Sequence, residues 1–218
     1  LFDFREPSPE GMELLPEVWN TLEALISSGA HNRGEALERL IELKAHRLSP
    51  LVAYLLTTRL VEGDLDIRFH VVKALGDALS PDRDDAVTPR GVRLVILRSL
   101  EDMRRRKIHA VLQVADHYLS AEDPVSRILN ACPYAGTAMS DIFNDRKMPV
   151  SIRQQAIQFT GLIGYLDAAP GLERLIHRLE ERSNQQEKMS FLNMEPLSGE
   201  ESLLIPAKAA LEKLKRVP

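Results

Sequence analysis

The chain has 218 residues, 44% of them hydrophobic and 28% charged, so it can bury a core and is not disordered by composition. Its 28 Lys and Arg against 32 Asp and Glu leave a formal net charge of -4, which excludes the whole-chain basic field that drives tight attachment to nucleic acid or anionic membrane. Cys132 is the only cysteine, which rules out an internal disulfide and a cysteine zinc cluster and fits a reducing, cytoplasmic setting.

No run approaches the roughly 18 to 20 apolar residues that a bilayer-crossing helix needs, so no membrane span is expected. Residues 1–11 lack a basic segment followed by an apolar core, and a chain that opens on leucine is expected to have been trimmed. Aromatic residues make up 5%, and no apolar-polar alternation is bounded by hairpin turn chemistry, so strands are not expected.

In chain order, apolar residues at helical spacing predict helices over 16–28, 33–46, 50–61, 66–79, 89–103, 106–119, 124–143, 150–166, 170–183 and 201–216. Six of these open on Pro16, Pro50, Pro89, Pro124, Pro149 or Pro170, residues suited to a first turn in which an N–H would have no intrahelical partner. Ser49, Thr88 and Asp123 precede three of the prolines, as helix N-caps do. Pro133 and Gly136 should interrupt the seventh helix. Residues 184–200, polar and carrying Gly and Pro, read as the one long connection. Short links elsewhere pair the helices into five antiparallel hairpins.

The hairpins repeat. "DIRFHVVKALG" at 66–76 aligns with "SIRQQAIQFTG" at 151–161, matching Ile67 with Ile152, Arg68 with Arg153, Val71 with Ala156 and Gly76 with Gly161. Leu37, Val111 and Ala207 take the position of Val71 in three other segments. One hairpin cannot bury both of its faces, so each must stack on the next, and small residues such as Ala74, Gly76, Ala156 and Gly161 would let neighbouring helices close.

Asp64 or Asp66, Ile67, Arg68, Ala74, Leu75 and Gly76 closely resemble the HEAT repeat signature, and Ile152, Arg153, Ala156 and Gly161 match it in part. Ser151 stands where that signature has an acidic residue, and Ile108 where it has arginine. The resemblance implies an all-α fold, an α-solenoid or right-handed superhelix of about five HEAT-like helical hairpins. It would form a single domain over 1–218, with repeats at 12–47, 48–80, 85–120, 122–167 and 168–218. It also implies that Asp66, Arg68, Gly76, Arg153 and Gly161 are structural, each arginine bonding an acidic turn of an adjacent repeat.

In such stacks the second helices line the concave surface. One outward row there would hold Glu35, Phe69, His109, Gln154 and Ile205, and a second Arg39, Lys73, Gln113, Gln158 and Ala209, with His70, Gln155 and His117 beside them. The binding candidates are therefore Phe69, His70, Lys73, His109, Gln113, His117, Gln154, Gln155 and Gln158, with Phe69 as an aromatic anchor. Mixed polar side chains around one aromatic suit a protein or peptide better than a polyanion.

Of His31, His46, His70, His109, His117 and His177, no two have metal-ligand spacing, and His109 and His117 lie about 12 Å apart by helical rise. Arg104–Lys107, "RRRK", reads as a solvated helix end. Cys132 has no visible base and reads as an inert thiol. No phosphate-cradling glycine loop, Walker-type lysine or nucleophile elbow is present. The expectation is a non-enzymatic scaffold or adaptor with no cofactor and no metal, binding protein or peptide rather than nucleic acid. Two alternatives share the repeat. One is the HEAT-like DNA glycosylases, disfavoured because the lone Trp19 lies near the N-terminus and the rows are not basic. The other is the lyases that attach bilin pigments, for which no pigment site is marked.

Overall fold

The structure, a computed structural model, describes residues 15–26, 29–81, 87–189 and 199–216. Every regular element among them is helical. Twelve α-helices follow in order among the described residues: α1 Leu15–Ile26, α2 Ala30–Glu42, α3 Ala45–Leu48, α4 Pro50–Thr58, α5 Leu65–Ala78, α6 Arg90–Glu101, α7 Arg105–His117, α8 Glu122–Asn130, α9 Ala135–Asn144, α10 Val150–Ile163, α11 Ala169–Met189 and α12 Leu204–Lys215. Short 3-10 turns at Arg59–Val61, Leu119–Ala121, Leu166–Ala168 and Gly199–Leu203 lead out of or into them.

The chain divides into two compact units, Leu1–Ile96 and Leu97–Pro218. In the first, α1 packs on α2, α4 on α5, and the second helices of these two hairpins, α2 and α5, pack on each other. In the second, α7 packs on α10 and α10 on α12, while α9 and α11 pack on each other and on this file. The five residues that the repeat alignment places in register, Leu37, Val71, Val111, Ala156 and Ala207, are each 0% exposed. The same periodicity therefore selects the buried stripe of each second helix.

Local chemistry sets the helix ends, with some shifts from expectation. Ser49 accepts a bond from the Val52 N–H at 3.4 Å with Pro50 at the first helical position, as the sequence predicts. Asp64, not Asp66, caps α5, its carboxylate accepting from the N–H groups of Asp66 at 2.9 Å and Ile67 at 3.1 Å. Asp123 is no cap: α8 starts a residue earlier, and Asp123 sits in its first turn on Arg127. Pro89 and Pro149 each precede a helix rather than open it. These are displacements of one or two residues, of the kind that first turns tolerate.

The predicted interruption of the seventh helix falls between Asn130 and Ala135. Gly136 is not its cause. It lies inside α9, where a β-carbon would collide with the Asp167 carboxylate, so the glycine admits an acidic group to a helix N-terminus. Gly161 is likewise a contact, because a β-carbon there would stand 2.8 Å from the Ala210 Cα of α12. Gly164, at φ 91°, closes α10 in the left-handed conformation. The expected connection at 184–200 is shorter: α11 runs on to Met189, and 190–198 lie outside the described residues.

Candidate functional site

Within Leu1–Ile96 the predicted binding residues Phe69, His70 and Lys73 share α5. Phe69 is half-buried, its ring meets that of His70 edge-on at 5.4 Å, and Lys73 Nζ stands 5.9 Å from its centroid. His70 Nδ1 donates to the Asp66 carbonyl at 2.9 Å. The aromatic is thus a small cation-capped platform rather than a bare anchor.

Within Leu97–Pro218 a cleft of about 590 Å3 runs over α7, α10 and α12. Its floor is Ala115, Phe159, Gly161 and Ala210, all buried. Its walls are apolar and exposed: Leu119 at 95%, Ile205 at 80% and Leu162 at 52%. Gln155 and Gln158 bring amides to it, and Glu122 and Lys213 place one charge of each sign on its rim. Of the predicted candidates, Gln155 and Gln158 therefore line the cleft, as do Ile205 and Ala209 from the predicted rows. Gln154, His109 and Gln113 lie on the same helices outside its lining, and His117 is exposed at the end of α7 with its ring against Tyr118 at 4.8 Å. Leu119 and Leu162 join Ile205 in its apolar wall, and neither was singled out by the sequence pattern.

The two signature arginines sit in different surroundings. Arg153 is 2% exposed, donating from Nε to the Phe143 carbonyl and from Nη2 to Glu200 Oε1, both at 2.8 Å. Glu200 comes from the Gly199–Leu203 turn that leads into α12, an element that packs on α10. Arg68 is also buried, next to the carboxylates of Asp64 and Glu62, and burial is the main influence lowering its pKa.

A second buried network escaped the sequence. Arg47 grips Asp77 with both arms of its fork, Nε to Oδ2 and Nη2 to Oδ1, each at 2.6 Å, and His46 Nε2 lies 3.0 Å from Oδ2. The Arg47 hydrogen bond is the main reason the Asp77 carboxyl falls to about 2, whereas burial pushes His46 below the usual histidine range. Asp77 lies 30 residues from Arg47, with no pattern to announce the pairing.

The remaining candidates have structural partners. His31 pairs with Glu35 and His177 with Glu181 one turn along their helices. Trp19 lies on the surface, donating to Glu23 at 3.0 Å. The buried Cys132 thiol donates to the Glu101 carbonyl at 3.3 Å, and burial raises its pKa, the opposite of what a nucleophile needs. "RRRK" opens a helix rather than closing one: Arg105–Lys107 form the first turn of α7, and Arg105 pairs with Asp145. Among the described residues no three metal-type side chains cluster, and no helix is long and apolar enough to cross a membrane. No family model matches this chain, and neither a curated protein nor a solved structure matches it.

Proposed function

We propose that this chain is a non-enzymatic scaffold of HEAT-like helical hairpins, an α-solenoid, that binds a protein or peptide along its row of second helices. The observation that carries this reading is the cleft over α7, α10 and α12, where three apolar side chains are held in the open around a packed floor. Exposed apolar walls with a few polar groups between them are what a partner's apolar side chains would cover. The amides of Gln155 and Gln158 supply donors and acceptors for a partner backbone, and balanced rim charges give no preference for a polyanion. The file of second helices, their close approach at Gly161 and the Arg153–Glu200 tie support the repeat reading.

The test is selection of a displayed random-peptide library on the full chain and on the Leu162→Asp, Ile205→Asp variant. Both positions are exposed, so the variant should keep its denaturant midpoint within about 0.5 kcal/mol per site. Peptides with paired apolar residues should be enriched on the parent chain and bind the variant about tenfold or more weakly, a loss of about 1.4 kcal/mol. Failure to enrich any peptide, or equal binding to both proteins, would overturn the reading. A Phe69→Ala, Lys73→Glu variant asks the same of the platform on α5.

A further inference from the structure

On the side of Leu97–Pro218 where α9 and α11 meet, positive charge is in excess. Both oxygens of Glu200 are taken: Oε1 accepts from Arg153 Nη2 at 2.8 Å and Oε2 from Arg182 Nη1. Arg178 is left with Nη2 3.7 Å from Oε1, too far to bond, and its buried Nε and Nη2 have no hydrogen-bond acceptor among the described residues. The like charges of Arg146, Arg153 and Arg182 all act on it. Buried guanidinium N–H groups without an acceptor are unfavourable even on a side chain that is 28% exposed, and a charge-assisted bond to an incoming anion relieves them.

Arg178 also lines a cavity of about 240 Å3 together with Ser140, Asp141, Asn144 and Arg174. Arg174 donates from Nε to the Pro170 carbonyl at 3.3 Å, which fixes the root of a second guanidinium at the same wall. Gly171 lies so close to the Ser140 hydroxyl that no β-carbon fits between them, so the hydroxyl is held in place by the backbone of α11. Asn144 is fixed by donating to the carbonyls of Ser140 at 3.0 Å and Gly171 at 3.2 Å. Asp141 is the one carboxylate in the lining. Against it stand Arg174 and Arg178, so the lining keeps a net positive charge, to which Arg146, Arg153 and Arg182 add around Arg178 while Glu200 opposes them.

We propose that this cavity is an oxyanion site that takes a phosphate group, with Arg174 and Arg178 as its cationic walls and Ser140 as its neutral hydroxyl. The excess charge favours a dianion over a carboxylate, and paired guanidiniums suit the several oxygens of a phosphoryl group. The phosphate is either free or borne by a partner as a monoester. This site lies on other elements than the apolar cleft and does not depend on the scaffold reading.

The experiment is calorimetric titration of the full chain with inorganic phosphate and with O-phosphoserine, at constant ionic strength against sodium chloride. Saturable one-site binding is expected, weakened about tenfold or more in Arg178→Gln and in Arg174→Gln and unchanged in Arg106→Gln. Arg153 and Arg182 keep hold of Glu200 in Arg178→Gln, and Arg174 is exposed, so at least one variant reports on a folded protein. Tighter binding of O-phosphoserine supports the site with a partner-borne group, and tighter inorganic phosphate supports it with the free anion. No saturable heat from either, or an equal loss in Arg106→Gln, overturns the proposal.

Discussion

Gly161 illustrates how much one missing methyl group can decide. A β-carbon there would stand 2.8 Å from the Ala210 Cα and 2.9 Å from its Cβ, so alanine would have to push α10 and α12 apart. Alanine gains about 1 kcal/mol of helix propensity over glycine, but overpacking against backbone costs about 1–3 kcal/mol. Gly161→Ala should therefore lower the free energy of unfolding by about 1 kcal/mol or more in urea titration. Gly34, in α2 with nothing within 4 Å of an added β-carbon, is the control, and Gly34→Ala should raise it by about 0.5–1 kcal/mol. Asp77 makes a second case. Its folded value of about 2 lies below the unfolded 3.8, so its contribution is present above pH 4 and fades as pH falls toward 2. With the side chain 48% exposed, screening reduces this to about 1 kcal/mol. In Asp77→Asn that acid component should vanish from a pH series of thermal midpoints. At pH 7 the same variant should lose about 2–3 kcal/mol, because Arg47 would keep a buried charge without its carboxylate.

At the scale of elements, Arg153 joins three pieces of chain. From the first turn of α10 it holds the C-terminal end of α9 through the Phe143 carbonyl and the turn before α12 through Glu200. Removing one member of a buried pair costs about 3–5 kcal/mol. Arg153→Met should approach that loss in denaturant, while Arg153→Lys should recover only part of it, since an ammonium cannot form both bonds in the fork's geometry. Its structural role was expected from the resemblance of Ile152, Arg153, Ala156 and Gly161 to a repeat signature, which implies an arginine bonded to an acidic turn of an adjacent repeat. Its partner was not, for Glu200 follows 47 residues later at the end of a polar stretch that reads as loop. The same division holds for α4, whose Ser49–Pro50 start follows from local chemistry, and for His46, Arg47 and Asp77, whose meeting depends on how α3 and α5 pack. Periodicity marks which face is buried. It gives no distance between polar groups on different helices. It also left Leu119 and Leu162 unassigned, because an apolar residue at the edge of a stripe can finish in the core or in a cleft wall, and neighbouring helices decide which.

Over the whole molecule, the titrating groups are unequally shared. In Leu1–Ile96 burial holds His46 below the ordinary histidine range, while the unfolded chain keeps the ordinary value of 6.5. The unfolded state then binds the extra proton first, so stability is intact above pH 6.5 and declines as pH falls toward the folded value. In Leu97–Pro218 the buried acid is Glu200, held below the usual glutamate range because the bonds and charge of its arginines outweigh burial, so it stays ionised at pH 5.5. Native-state hydrogen exchange, corrected for the intrinsic pH dependence of the amides, should resolve the two. Between pH 7 and 5.5 protection should fall in α3, α4 and α5, which surround His46, and hold in α10 and α12. Replacing His46 with glutamine, which carries no titrating proton, should abolish the pH-dependent part of the fall even if it lowers protection at both pH values. Equal losses in α5 and α10 would show that the acid sensitivity arises elsewhere than in the His46–Asp77 contact.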